Sequence, residues 1–195
     1  MKIIYSILSY LLGAVPSGYI IYRLVKKKDI RKEGSGSTGA TNVLRLMGFK
    51  FALPVLLFDF LKGFLPAFLA LRIFPDRRVA LVCAFLAVLG HCYPVYIGFR
   101  GGKGIATMMG VYASLGILPC LLSLGVFILT VALTRYVSLG SILASLGFPL
   151  FTLAFIGDIE TLALSLAIFV LVVIRHKGNI QRLLQGNERK LGEKT

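Results

Sequence analysis

FALPVLLFDFLKGFLPAFLALRI, residues 51–73, is apolar almost throughout. A bilayer core needs about 20 such residues per helix, so this stretch reads as a membrane span. Residues 3–25 and 79–97 meet the same test. Residues 105–134 are too long for one helix, and Pro119 marks a break, which gives short helices at 104–117 and 119–134. Two more follow at 138–156 and 159–175, separated by Gly157-Asp158-Ile159-Glu160. The expectation is an all-α, polytopic membrane helical bundle with seven transmembrane helices, forming one integral membrane domain over 1–195. Five spans are the alternative, if 105–134 and 138–174 each make a single helix. The first span resembles a signal peptide only superficially: its clearest charge cluster, Lys26-Lys27-Lys28, follows the apolar run, so it is expected to be retained.

Composition agrees with this class. Of 195 residues, 57% are hydrophobic and 15% charged, against about 25% charged in a soluble domain. The formal charge is +14. In a soluble protein that excess would suggest nucleic acid. Here the basic residues cluster between apolar spans without a basic, aromatic groove, so no nucleic-acid partner is expected. Cys83, Cys92 and Cys120 lack metal-type spacing. Cys92 adjoins His91, but neighbouring helical residues point apart, which argues against a Cys/His nucleophile.

The basic residues also orient the chain. The 23–50 connection holds Arg23, Lys26, Lys27, Lys28, Arg31, Lys32, Arg45 and Lys50; the 98–104 connection adds Arg100 and Lys103. Arg175, Lys177, Arg182, Arg189, Lys190 and Lys194 lie in the tail. The other side carries Lys2, Arg72, Arg77 and Arg78 together with Asp76, Asp158 and Glu160. The N-terminus is therefore expected outside and the C-terminus in the cytoplasm. No internal repeat is visible, which weighs against a transporter built from inverted halves.

Three Gly-rich, basic segments then share the cytoplasmic face: KEGSGSTGATNVLR (32–45), HCYPVYIGFRGGKGIAT (91–107) and RHKGNIQRLLQGNERK (175–190). In the first, Gly34, Gly36 and Gly39 alternate with Ser35, Ser37, Thr38 and Thr41. Glycine lets the backbone present successive N–H donors to an anion, and a helix starting near Thr38–Thr41 would add its dipole. Asn42 and Arg45 would share a helical face, where Arg45 could grip a phosphate bidentately. The plainer reading is a flexible loop with a helix cap. The second segment falls one residue short of a P-loop and has Gly104 in place of the hydroxyl. Its Gly101, Gly102, Lys103 and Gly104 still offer bare backbone and a point charge at a helix start. The plainer reading there is a basic turn anchoring the membrane, and His91 reads as a structural hydrogen-bonding residue. The third segment spaces His176, Asn179 and Arg182 three apart, hence on one helical stripe, with His176 a general base or a phosphate donor. The plainer reading is that Gly178 just ends the span. Within the spans, Asp59 and Lys62 can pair on one face, or Asp59 can orient a basic site residue. Ser141 either bonds a small polar substrate or caps a helix.

Together GSGSTGATNVLR, GFRGGKG and HKGNIxRLxxGxE, with the LKG after Asp59 and TRYVSLGS at 134–141, resemble the bacterial membrane family of acyl-phosphate-dependent glycerol-3-phosphate acyltransferases, over essentially the whole chain. The resemblance implies transfer of a fatty acyl group from acyl phosphate to the 1-hydroxyl of sn-glycerol 3-phosphate, giving lysophosphatidic acid and phosphate at the bacterial inner membrane. Other glycerol-3-phosphate acyltransferases use a His-x4-Asp pair. Here Tyr96 follows His91 and Gln181 follows His176 at that spacing, so the pair is absent. The expected catalytic set is Lys103, His176, Asn179 and Asn42; the expected binding set is Ser35, Gly36, Ser37, Thr38, Thr41, Arg45, Gly101, Gly102, Gly104 and Ser141. Ser35, Ser37, Thr38 and Lys103 would hold the acyl phosphate. Arg45, Ser141, His176 and Asn179 would hold glycerol 3-phosphate, with Asn42 between the two. No cofactor and no metal are expected. The alternative is an organic-phosphate transporter.

Overall fold

A computed structural model of the chain describes residues 1–193; Lys194, counted above with the basic tail, lies outside the described residues. The described chain is all-helical and falls into two compact units, Met1–Val111 and Tyr112–Glu193.

The first unit holds α1 (Lys2–Ala14), α2 (Ser17–Lys26), α3 (Ala40–Met47), α4 (Phe49–Ile73), α5 (Arg77–Cys92) and most of α6 (Ile105–Leu115), with short 3-10 turns at Ile30–Lys32 and Val95–Ile97. The expected first span is two helices, because Pro16 has no N–H to donate and keeps Val15 out of the helical region. Small residues bring the helices together. A methyl on Gly13 would overlap the Ala87 backbone and one on Gly90 would overlap the Tyr10 carbonyl, so α1 and α5 meet backbone to backbone. Such close approach is how membrane helices associate where lipid and side chains are equally apolar. Gly63 on α4 lies as close to the Thr107 carbonyl of α6.

The second unit holds α7 (Ile117–Thr134), α8 (Val137–Phe155), α9 (Ile159–Arg175) and α10 (Lys177–Leu184). α8 packs on both α7 and α9, and α10 touches α8 and α9. The break expected at Pro119 is at Gly116 instead, and Pro119 sits in the first turn of α7, where its missing N–H would have had no helical partner. The 159–175 helix has the expected bounds. Gly178 does not end that span: the chain bends by 63° at His176 and Gly178 lies inside α10.

Large apolar side chains cover much of the outside, and several hydroxyls are buried among the core residues. Ser9, Ser123, Ser145, Thr152, Thr161 and Ser165 are buried while Ile7, Leu57, Ile128 and Leu153 are exposed. Buried hydroxyls such as Ser9 and Ser123 donate to carbonyls one turn earlier, so they need no water. By length and composition five segments can cross a membrane: Lys2–Lys26, Phe49–Ile73, Arg77–Ile97, Ile117–Thr134 and Val137–Phe155; α9 with α10 makes a sixth. α6, with 11 residues, is too short for that test.

Candidate active site

The first polar segment is a wired loop. Asp29 caps the 3-10 turn and accepts from Arg31 Nε at 3.0 Å and Nη2 at 2.7 Å. The Arg31 guanidinium holds the Asp29 carboxyl down at about 2. The remaining Arg31 nitrogen, Nη1, donates to the Ile97 carbonyl at 2.7 Å, which fastens this loop to the 3-10 turn within the second segment. Gly34 has φ +60°, and a methyl there would strike Asn42 Oδ1, so both backbone and space require glycine.

Asn42 is buried in α3, and its amide is committed to the loop. Oδ1 accepts the Ser35 N–H at 2.9 Å, while Nδ2 donates to the carbonyls of Glu33 (3.2 Å) and Ser37 (2.9 Å). These bonds make it an organiser of the loop rather than the group between two phosphates that the sequence suggests. Ser37 Oγ accepts from the Gly39 N–H at 3.3 Å, just before α3 begins. Thr38 is buried, and its carbonyl lies against Gly18 of α2. Ser35 and Thr41 are exposed; Gly36 and Arg45 are half-buried.

The second segment folds back on the end of α5. Gly101 N–H donates to the Cys92 carbonyl at 3.3 Å and Gly102 N–H to the His91 carbonyl at 3.1 Å. Those two donors therefore point into the protein, and the bare backbone expected to cradle an anion at these residues serves close approach instead. A methyl on Gly102 would overlap the His91 ring, and one on Gly101 the His91 carbonyl. Lys103 is half-buried beside them, and Gly104 precedes α6. Beneath the segment Asp59 and Lys62 pair at 2.7 Å, as their spacing suggests, with side chains 2% exposed. Ser17 Oγ donates to the same Asp59 oxygen at 2.7 Å, and His91 Nδ1 is 3.6 Å from it. Cys92 is fully buried.

In the second unit, His176 is buried at the α9–α10 bend with Nδ1 2.8 Å from the Val172 carbonyl. A carbonyl only accepts, so Nδ1 carries the proton and a neutral ring keeps its lone pair on Nε2. Asn179 and Arg182 do share a stripe on α10, and what they face is a carboxylate. Glu188 Oε1 accepts from Asn179 Nδ2 (2.6 Å) and Ser138 Oγ (2.8 Å), and Oε2 accepts from Arg182 Nε (2.8 Å). Burial works to raise the Glu188 pKa, but the bonds from Asn179, Ser138 and Arg182 outweigh it and hold the group below the usual glutamate range. Sequence reasoning misses Glu188 as a site residue; the available signal is a lone carboxylate in a run of cations. Ser141 Oγ donates to the Val137 carbonyl at 2.8 Å. Among the described residues no group of three His, Cys, Asp or Glu could hold a metal ion.

The chain is similar to known proteins along its length. The sequence matches the model of glycerol-3-phosphate acyltransferases over residues 3–186. A glycerol-3-phosphate acyltransferase of Thermoanaerobacter pseudethanolicus is 42% identical over 190 residues, which cover 97% of this chain and 96% of that protein. The corresponding protein of Desulfotalea psychrophila is 43% identical, with 100% of both chains covered. The crystal structure of PlsY, an integral membrane glycerol 3-phosphate acyltransferase, in its glycerol 3-phosphate form matches with a TM-score of 0.94 at 41% identity, over 98% of this chain and 96% of that one. Its lysophosphatidic acid form matches with a TM-score of 0.91 at 40% identity, over 98% and 95%. With the whole length matched in sequence and in fold, the chain is a member of the glycerol-3-phosphate acyltransferase family of integral membrane enzymes.

Proposed function

We propose that this protein transfers a fatty acyl group from acyl phosphate to the 1-hydroxyl of sn-glycerol 3-phosphate, at the cytoplasmic face of a bacterial inner membrane. Family membership supports the acceptor. The observation that carries the donor is the state of the carboxylates around the motifs. Glu33 is held by Tyr22 and Lys28, Asp59 by Lys62 and Ser17, and Glu188 by three donors. None of them is placed to act as a strong base. A donor that is already activated needs less base assistance, and acyl phosphate is a mixed anhydride.

In this reading Ser35, Ser37, Thr38 and Lys103 hold the acyl phosphate, while Arg45, Ser141, His176 and Asn179 hold glycerol 3-phosphate. Catalysis is then positioning and charge stabilisation. The glycerol oxygen bonds to the acyl carbon, the acyl carbon–oxygen bond to phosphate breaks, and the departing phosphate takes the hydroxyl proton. His176 is held at the α9–α10 bend, with its Nδ1 proton on the Val172 carbonyl.

Purified protein supplied with acyl phosphate and glycerol 3-phosphate should release phosphate and form lysophosphatidic acid in equal amounts. Acyl-CoA in place of acyl phosphate should give no product. Turnover with acyl-CoA alone would replace the donor, and uptake of glycerol 3-phosphate into vesicles without phosphate release would favour a transporter.

A further inference from the structure

The proposed reaction has no use for Asp59, Lys62 or His91, yet they are among the least exposed polar groups in the first unit, at 1%, 2% and 7%. Charge inside a membrane span is expensive, and a buried ion pair is by itself weak evidence of a contribution to stability. The contacts of this cluster suggest another job. Asp59 Oδ1 accepts from Ser17 Oγ and Lys62 Nζ, and Lys62 Nζ also donates to the Val15 carbonyl at 2.9 Å. Val15 and Ser17 flank the proline break between α1 and α2. The next residue, Gly18, lies so close to the Thr38 carbonyl that a methyl would overlap it. One arm of the cluster therefore ends on the first polar loop.

The other arm ends on the second. His91 turns Nδ1 toward Asp59 Oδ1, 3.6 Å away. Its opposite edge, Nε2, lies against Gly102, and its carbonyl receives the Gly102 N–H at 3.1 Å. Lys103 is the next residue. One carboxylate thus stands a single contact from the segment that leads into each loop.

We infer that the Asp59–Lys62–His91 cluster is a positioning device that sets the Ser35–Thr38 loop and the Gly101–Gly104 loop in register for the acyl phosphate, without touching substrate itself. The inference rests on the donor assignment above. A merely structural cluster would affect both substrates alike when disturbed; a positioning cluster for these loops affects the acyl donor alone.

The test uses the full-length enzyme in lipid and measures the two KM values separately for wild type, Ser17→Ala, His91→Ala, Gly102→Ala and the His91→Ala/Gly102→Ala double variant. Small displacements of substrate-positioning groups carry large kinetic effects, so Ser17→Ala and His91→Ala should each raise the KM for acyl phosphate about tenfold or more and leave that for glycerol 3-phosphate within about twofold. Gly102→Ala should act in the same direction. The double variant should be no worse than His91→Ala, because the ring that the new methyl would strike is gone. Equal rises in both KM values, no rise in either, or additive losses in the double variant would each overturn the inference. If His91→Ala does not accumulate, Ser17→Ala, which deletes one hydroxyl and keeps the ion pair, carries the test. Wild type that turns over with acyl-CoA and not with acyl phosphate would sink the donor assignment and this inference together. Normal wild-type kinetics with unselective variants would sink this inference alone.

Discussion

Asn42 and Glu188 do the same work in different loops, each using one side chain to gather groups that would otherwise point apart. Removing the Asn42 amide leaves the Ser35 N–H and the Glu33 and Ser37 carbonyls without their partner. Asn42→Ala should cost about 1–3 kcal/mol and lower turnover more than it lowers stability, read by kinetics beside thermal unfolding. Asn42→Asp should be worse than Ala, because it turns an acceptor toward two carbonyls. Glu188→Gln should cost about 1.5–3 kcal/mol at neutral pH, since it weakens three bonds to a charged acceptor. The sign of its pH dependence follows from the depressed pKa. Glu188 binds its proton less readily in the folded state, so its contribution is complete above the ordinary glutamate value of about 4.3 and is lost as pH falls through the lower folded value. The stability gap between wild type and Glu188→Gln should therefore close on acidification, and a gap that widened would contradict the assignment. The sequence groups Asn42 with Arg45, and Asn179 with Arg182, on shared helical faces. It does not show that Asn42 turns inward, because its partners lie five to nine residues back along a loop with two left-handed glycines.

Among the helices, the five segments long and apolar enough to cross a membrane were legible from apolar runs, whereas the breaks at Pro16 and Gly116 were not. Pro119 looked like the stronger punctuation, yet a proline fits the first turn of a helix, so the chain breaks at Gly116. Pro16, unremarked within an apolar run, splits the first span and delivers Ser17 to Asp59. Which glycines sit at helix crossings also needs the fold. Gly90 is pressed against the Tyr10 carbonyl, whereas Gly125 has nothing within 4 Å of where its methyl would be. Gly90→Leu should part α1 from α5 and cost about 1–3 kcal/mol or more through overpacking. Gly125→Ala, inside α7 with open space around it, should instead stabilise by up to about 1 kcal/mol. Thermal unfolding of the two variants in the same detergent checks the pair; equal effects would contradict the packing described.

At the scale of the whole molecule, the proposed topology depends on α6. Its 11 residues rise about 16 Å, against about 30 Å of hydrocarbon. If α6 crosses together with its flanks, seven spans result and the third polar segment faces the cytoplasm with the other two. If α6 stays on one side while α7, α8 and α9 each cross, the third segment lies outside and cannot serve a cytoplasmic reaction. Charge distribution alone favours the first arrangement, since Lys177, Arg182, Arg189 and Lys190 crowd the tail. Cys83, Cys92 and Cys120 are buried and give little background for thiol labelling. The most direct measurement places single cysteines at the exposed positions Ser35, Arg100, Lys177 and Arg78 and treats right-side-out vesicles with a membrane-impermeant maleimide. The account predicts labelling of Arg78→Cys in sealed vesicles, and of Ser35→Cys, Arg100→Cys and Lys177→Cys only after permeabilisation. Labelling of Lys177→Cys in sealed vesicles, with Ser35→Cys and Arg100→Cys protected, would contradict it.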